Sequence, residues 1–172
     1  NTTGTKNVAV GQNALETVTT SGSNTAIGAD ALKVNTAANN TAVGKEALLA
    51  NTTGSTNVAI GVDALTANTT GSSNTAVGTG AMEDNTTASY NTACGQDALH
   101  ANTTGAEHVA VGSRALQANT TGADNTAVGF SALKVSTTGS YNTGVGGNAL
   151  IKNTTADYNV AIGYDSMAEN TT

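Results

Sequence analysis

Small apolar and polar residues alternate along this chain in a pattern that repeats every 17 residues. The motif Asn-Thr-Ala-Val-Gly recurs, and eight of the nine intervals between its glycines are 17 residues, whereas Gly28 to Gly44 is 16. The consensus unit reads N-[TV]-A-[VI]-G-x-x-A-L-x-x-N-T-T-G-x-x, and ten copies fill residues 1–172 as a single array. The repeat glycines are Gly11, Gly28, Gly44, Gly61, Gly78, Gly95, Gly112, Gly129, Gly146 and Gly163.

The length of the unit indicates the fold class. A helical hairpin repeat needs more than about 30 residues, whereas 17 residues suit one coil of a β-solenoid, whose short strands stack in parallel about 4.8 Å apart. We therefore predict an all-β, parallel β-solenoid (β-roll) of ten 17-residue coils, about 48 Å long. For the A-L-x-x-N-T-T-G segment, a second short strand and a turn is favoured over one helical turn closed by glycine.

Two apolar columns are the expected interior of the solenoid. The strand residue before each repeat glycine is Val or Ile except at Cys94, and the position four residues after each glycine is Leu or Met. Charges lie almost entirely at the variable positions, as they do when those positions face water. We expect both columns to point inward, so that Cys94 is a buried small hydrophobe.

The composition makes such a core thin. The chain contains 32 Thr, 30 Ala, 21 Asn and 20 Gly, with no Pro or Trp. A few small apolar side chains per coil give limited burial at about 25 cal/mol per Å², against backbone entropy of about 1–2 kcal/mol for each ordered residue. We therefore expect one further face to be buried between identical chains, in a homo-oligomer. The matching phase of the two ends suggests a section of a longer fibrous chain.

Composition and charge also exclude classes of partner. The sequence has no run of about 18 apolar residues, so no membrane span is expected. The net charge is −6 with only six Lys and Arg, which argues against nucleic-acid binding through phosphate neutralisation. The single cysteine, Cys94, excludes an internal disulfide framework.

The repeat resembles known fibrous proteins. Units such as Asn125-Thr126-Ala127-Val128-Gly129-Phe130-Ser131-Ala132-Leu133 are similar to the head repeats of trimeric autotransporter adhesins, and more so to repeat arrays of phage tail-fibre-like and bacterial surface proteins. The resemblance covers all ten copies. It implies a left-handed β-roll, a trimer and an extracellular location, as a fibre or as an adhesin stalk or head segment. The adhesin head unit is usually a few residues shorter, so the N-T-T-G turn is an extension.

No residue is predicted to be catalytic, cofactor-binding or metal-binding. His100 and His108 stand in different columns without further ligands, and the phosphate-loop likeness of Gly144-Val145-Gly146-Gly147 disappears once Gly146 is seen as the periodic corner. An acidic column two residues after each repeat glycine is interpreted as turn-forming, with calcium binding as the less favoured hypothesis. Its members are Asn13, Asp30, Glu46, Asp63, Gly80, Asp97, Arg114, Ser131, Asn148 and Asp165.

Two further columns leave alternatives open. The Asn that begins each motif, interrupted only by His108, predicts either a coil-to-coil asparagine ladder or a left-handed corner; the ladder is favoured because neither Gly nor Asp occurs there. The threonines of N-T-T raise an alternative function, a ligand-binding solenoid that is either ice-binding or a calcium-dependent adhesin. Ice binders usually show Thr-x-Thr on a strand, whereas these threonines are adjacent.

Overall fold

The computed structural model of the chain is a ten-stranded parallel β-solenoid. It describes residues 2–171, so Asn1 and Thr172 of the predicted array lie outside the described residues. Each coil contributes one three-residue strand, and the strands pair in chain order from β1 to β10. The strands are β1 Val8–Val10, β2 Thr25–Ile27, β3 Thr41–Val43, β4 Val58–Ile60, β5 Thr75–Val77, β6 Thr92–Cys94, β7 Val109–Val111, β8 Thr126–Val128, β9 Thr143–Val145 and β10 Val160–Ile162.

The register of the sheet follows the repeat. Each motif residue pairs with its counterpart in the next coil, for example Ala59 with Ala76. The short 16-residue unit keeps this register, because Thr25 still pairs with Thr41. Its missing residue falls in the connection between the strands, where the chain can absorb a deletion without shifting the ladder.

The rest of each coil consists of turns, so the predicted second strand is wrong. Residues 2–171 contain no helix, and the A-L-x-x-N-T-T-G segments are turns and bends. Their backbone still bonds from coil to coil: Leu65 N–H donates to Ala81 O at 3.0 Å, and Thr69 N–H donates to Thr86 O at 2.8 Å. The turns are therefore stacked as regularly as the strands.

The interior is built from three apolar columns and two asparagine columns. The first asparagine column begins each motif, and the second lies seven residues after each repeat glycine, as at Asn51 and Asn68. The middle residue of each strand from β2 to β10 is buried, and it is Ala everywhere except Gly144. The Ala and Leu that follow the repeat glycine complete the apolar core. The leucine column is Leu15, Leu32, Leu48, Leu65, Met82, Leu99, Leu116, Leu133, Leu150 and Met167.

The prediction that the Val/Ile column faces inward is wrong. Side chains alternate across a strand, and here the central Ala takes the inward direction, which sends both of its neighbours outward. Ile60 is 40% exposed, whereas Ala59 beside it is completely buried. The narrow space between the sheet and the leucine column accommodates a methyl group at this position, and the larger β-branched side chains line the outer surface.

Candidate functional site

The outward side of the sheet is the most distinctive surface of the molecule, and we call it the sheet face. It consists of the first and third residues of all ten strands, and none of these 20 residues carries a charge. The first-residue column is Val8, Thr25, Thr41, Val58, Thr75, Thr92, Val109, Thr126, Thr143 and Val160. The third-residue column is Val10, Ile27, Val43, Ile60, Val77, Cys94, Val111, Val128, Val145 and Ile162.

The sheet face is comparable in area to the largest apolar patch on a typical single chain. Ten strands about 4.8 Å apart and three residues wide cover on the order of 500 Å². Even inside the stack, Val109 and Val111 remain 39% and 37% exposed. A contiguous apolar patch of this size commonly marks an interaction site.

Cys94 belongs to the sheet face, which corrects its predicted burial. Its thiol is free and exposed, because the third residue of β6 points away from the interior. The pattern contained a signal for this orientation. The inward column tolerates only Ala and one Gly, whereas the flanking columns exchange Thr for Val and Val for Ile or Cys, a variation that a tightly packed interior would not accept.

The threonine after each second-column asparagine also bonds between coils. Thr52 Oγ1 donates to Thr69 O at 2.9 Å, and Thr69 Oγ1 donates in turn to Thr86 O at 3.0 Å. These hydroxyl protons are therefore already used within the protein. The first threonine of N-T-T stabilises the stack and is a poor candidate for ordering water.

The acidic column occupies left-handed turn positions. Its described members all have φ between 52° and 64°, a conformation that Asn, Asp and Gly adopt more readily than other residues. Asn13 Nδ2 donates to Asp30 Oδ1 at 3.0 Å, and Lys33 Nζ lies 3.0 Å from the same oxygen. The Asn13 and Lys33 donors lower the pKa of the Asp30 carboxyl. Within residues 2–171, no three His, Cys, Asp or Glu side chains are grouped to hold a metal ion.

The two histidines lie in different environments. His100 is half-buried, with Nδ1 3.2 Å from Gly80 O and 3.5 Å from a Glu83 carboxylate oxygen. His108 is buried in the first asparagine column, and its burial lowers the pKa of the imidazole. Gly146 has φ of 129° and stands at the corner after β9, in line with its prediction as a periodic corner.

The aromatic residues form a feature that the sequence analysis missed. All five are exposed, and the rings of Tyr141 and Tyr158 stack with centroids 5.0 Å apart and planes 2° apart. Both tyrosines stand immediately before a motif Asn, one repeat apart, and that spacing in the sequence was the available signal. The five are Tyr90, Phe130, Tyr141, Tyr158 and Tyr164.

Comparisons with known proteins complete this description. Searches against protein-family models, curated proteins and solved structures each returned no match. Across residues 2–171 no pocket was found, and no helix is long and apolar enough to cross a membrane. The sheet face is therefore the candidate functional site on geometric grounds.

Proposed function

We propose that this chain is a structural segment of an extracellular fibre or adhesin, and that it assembles with identical chains through the sheet face. The observation that carries the proposal is the uninterrupted, uncharged and largely β-branched surface along all ten strands. No residue is assigned a catalytic, cofactor-binding or metal-binding role. The extracellular location rests on the resemblance of the repeat to fibre and adhesin arrays.

The composition of the interior supports assembly. Each inner coil buries one Leu or Met, its Ala neighbour, the strand Ala and two mostly asparagine positions, so the apolar core of a single chain is thin. Covering the sheet face removes the Val and Ile side chains from water, at about 25 cal/mol per Å². Even along the whole rod, the face of about 500 Å² is smaller than the roughly 800 Å² per partner of a typical stable interface, so the assembly must also bury surface beside the sheet face.

Among possible assemblies we favour a trimer. Three rods side by side can turn their sheet faces toward one common axis, which covers the apolar columns of every chain at once. The repeat arrays that this chain resembles are trimeric. A closed three-fold arrangement also removes the hazard of an apolar surface that would otherwise associate without limit.

The proposal is tested by adding charge to the face. Val77→Lys places an ammonium group in the third-residue column, and Thr70→Lys is the matched control at an exposed turn position in the preceding coil. Light scattering of the unmodified chain should give three times 16.8 kDa. Val77→Lys should shift that mass toward the monomer, whereas Thr70→Lys should leave it unchanged.

A monomeric unmodified chain would contradict the proposed assembly. Circular dichroism checks that the chain is folded, with strand and without substantial helix. The proposed location is tested separately. Intact cells or virions that carry the full-length protein should bind antibodies against the repeat without permeabilisation, and labelling that requires permeabilisation would contradict an extracellular fibre.

Ice binding is the second candidate function. The observation that favours it is the regular column of strand threonines on the sheet face, Thr25, Thr41, Thr75, Thr92, Thr126 and Thr143, with Val at the other positions. In this alternative the face is open to water, so the chain is monomeric and shows thermal hysteresis. In the favoured proposal the face is covered and thermal hysteresis is absent. A calcium-dependent adhesin would instead melt at a higher temperature in calcium than in chelator.

A further inference from the structure

His108 replaces an asparagine and reproduces its hydrogen bonds. In the ordinary case, Asn91 Oδ1 accepts from the His108 N–H at 2.9 Å, and Asn91 Nδ2 donates to Gly105 O at 3.1 Å. One coil later, His108 Nδ1 lies 3.2 Å from the Asn125 backbone nitrogen, and Nε2 lies 2.7 Å from Gly122 O. The imidazole thus supplies one acceptor and one donor to the next coil, as the amide does.

These contacts determine the tautomer of the ring. A backbone N–H can only donate, so Nδ1 facing Asn125 must carry no proton, and the ring proton lies on Nε2, where it is donated to Gly122 O. Asn119 Nδ2 approaches Nε2 to 3.0 Å, but its two protons are directed to Asn102 Oδ1 at 2.9 Å and Gly122 O at 3.2 Å. The pocket is therefore complementary to neutral imidazole.

Histidine differs from asparagine in that it can take up a proton. Protonation would place an N–H on Nδ1 against the Asn125 N–H, so two donors would face each other inside the protein. The side chains around the ring, Asn91, Asn119 and Asn125, carry no charge to compensate. The Asp124 carboxylate attracts the protonated ring through space. Glu107 comes directly before His108 in the chain, but it is exposed to solvent. Burial outweighs this attraction and lowers the pKa of His108.

We propose that His108 makes the joint between β7 and β8 acid-sensitive: taking up a proton on Nδ1 removes the acceptor for the Asn125 N–H and loosens the two coils there. The unfolded or opened chain binds the proton near the ordinary histidine pKa of about 6.5, whereas the closed joint does not. Stability is therefore complete above about pH 6.5 and falls as the pH decreases below it. Since each coil contacts only its neighbours, the effect is local.

Hydrogen exchange provides the direct test. After correction for intrinsic rates, the opening constant reported by the Asn125 amide should rise by up to about fivefold between pH 6.5 and pH 5.5. The Asn74 amide, which donates to Asn57 Oδ1 at 3.0 Å in an uninterrupted part of the column, should not change. This window lies above the usual range of the carboxyl groups.

Two variants separate the buried imidazole from other causes. His108→Asn restores the repeat residue, so it should fold and should lose the acid response of the Asn125 amide. His100→Asn removes the half-buried imidazole of the preceding coil and should keep that response. An unchanged Asn125 opening constant in the unmodified chain, or an equal acid response in His108→Asn, would overturn the proposal.

Discussion

Asparagine fills two interior columns, with a different bonding pattern in each. In the first column, Asn57 Oδ1 accepts from the Asn74 N–H at 3.0 Å, and Asn57 Nδ2 donates to Gly71 O at 2.8 Å. In the second column, the amides bond to one another, as when Asn68 Nδ2 donates to Asn51 Oδ1 at 2.8 Å. Only a neutral side chain with both a donor and an acceptor can do this inside a protein without burying a charge.

The first column does bond from coil to coil, but its amides meet mainly backbone groups, so the predicted ladder of stacked amides is wrong for that column, and so is the left-handed corner. None of its asparagines has a positive φ; the residue before each of them does, as at Ser73 with φ of 59°. The ladder of amides bonded directly to amides runs through the second column, which the sequence analysis interpreted as part of a turn. Spacing identified residues that stack, but the direction of each amide depends on where the neighbouring carbonyls point.

Two adjacent glycine substitutions test this assignment. Asn74→Gly should cost about 1–3 kcal/mol, because it removes the acceptor for the buried Asn91 N–H at 3.0 Å. The Ala88 carbonyl loses its hydrogen bond from Asn74 but still accepts one from Asn85 Nδ2 at 3.2 Å, which limits the loss of stability. Ser73→Gly is the control, and it should be neutral or stabilising because it relieves a positive φ at an exposed residue. Thermal melting measures both, and equal effects would contradict the coil-to-coil bonding of the first column.

At the scale of the element, the leucine turns show burial prevailing over backbone preference. Residues of the leucine column have φ between 48° and 53°, a left-handed conformation that costs about 1–2 kcal/mol in an ordinary residue. Burying a leucine side chain gains about 1.5–3 kcal/mol. The same conformation turns the Leu N–H toward the next coil, where it meets an Ala carbonyl, so the turn is held by burial and hydrogen bonding together.

This balance between side-chain burial and backbone preference explains which elements the sequence could predict. The 17-residue period and the parallel strands follow from spacing alone, and both are confirmed. The inward-facing side of each strand was assigned wrongly, because alternation defines two faces but does not identify the inner one. Choosing the larger Val and Ile as interior ignored the narrow space beside Leu65 and its equivalents, which only the assembled coil reveals. Local conformational propensities likewise do not predict a leucine in the left-handed conformation.

The second asparagine column has an interruption that can be repaired. Ser136 stands where most coils have Asn, and both Ser136 Oγ and Asn119 Oδ1 are buried without a hydrogen-bond partner. Ser136→Asn should supply the missing donor and stabilise the chain by about 1–3 kcal/mol. Thermal or denaturant unfolding measures the change. Ser136→Ala removes only the serine hydroxyl and should stabilise less; a lower melting temperature for Ser136→Asn would contradict the ladder.

At the scale of the whole molecule, Cys94 reports on whether the sheet face is covered. In a single chain its thiol is exposed, so Cys94→Val and Cys94→Asp should both leave the fold nearly unchanged. In the proposed assembly the thiol is buried, and its reaction with a maleimide should be slow until dilution or the Val77→Lys substitution releases monomers. A rate equal in both states would show that the face remains open to solvent.

The spacing of the hydrogen bonds also bears on how quickly the protein folds. Bonds between coils join residues only about one repeat apart, as from Asn57 to Asn74 or from Thr143 to Val160. The mean sequence separation is therefore about one tenth of the chain, a relative contact order of about 0.1, which is typical of helical bundles rather than of β-sandwiches. Growth can begin at any coil and proceed by closing one loop of about 17 residues at a time. A ten-stranded sheet is thereby freed from the slow search for distant partners that limits most β-proteins.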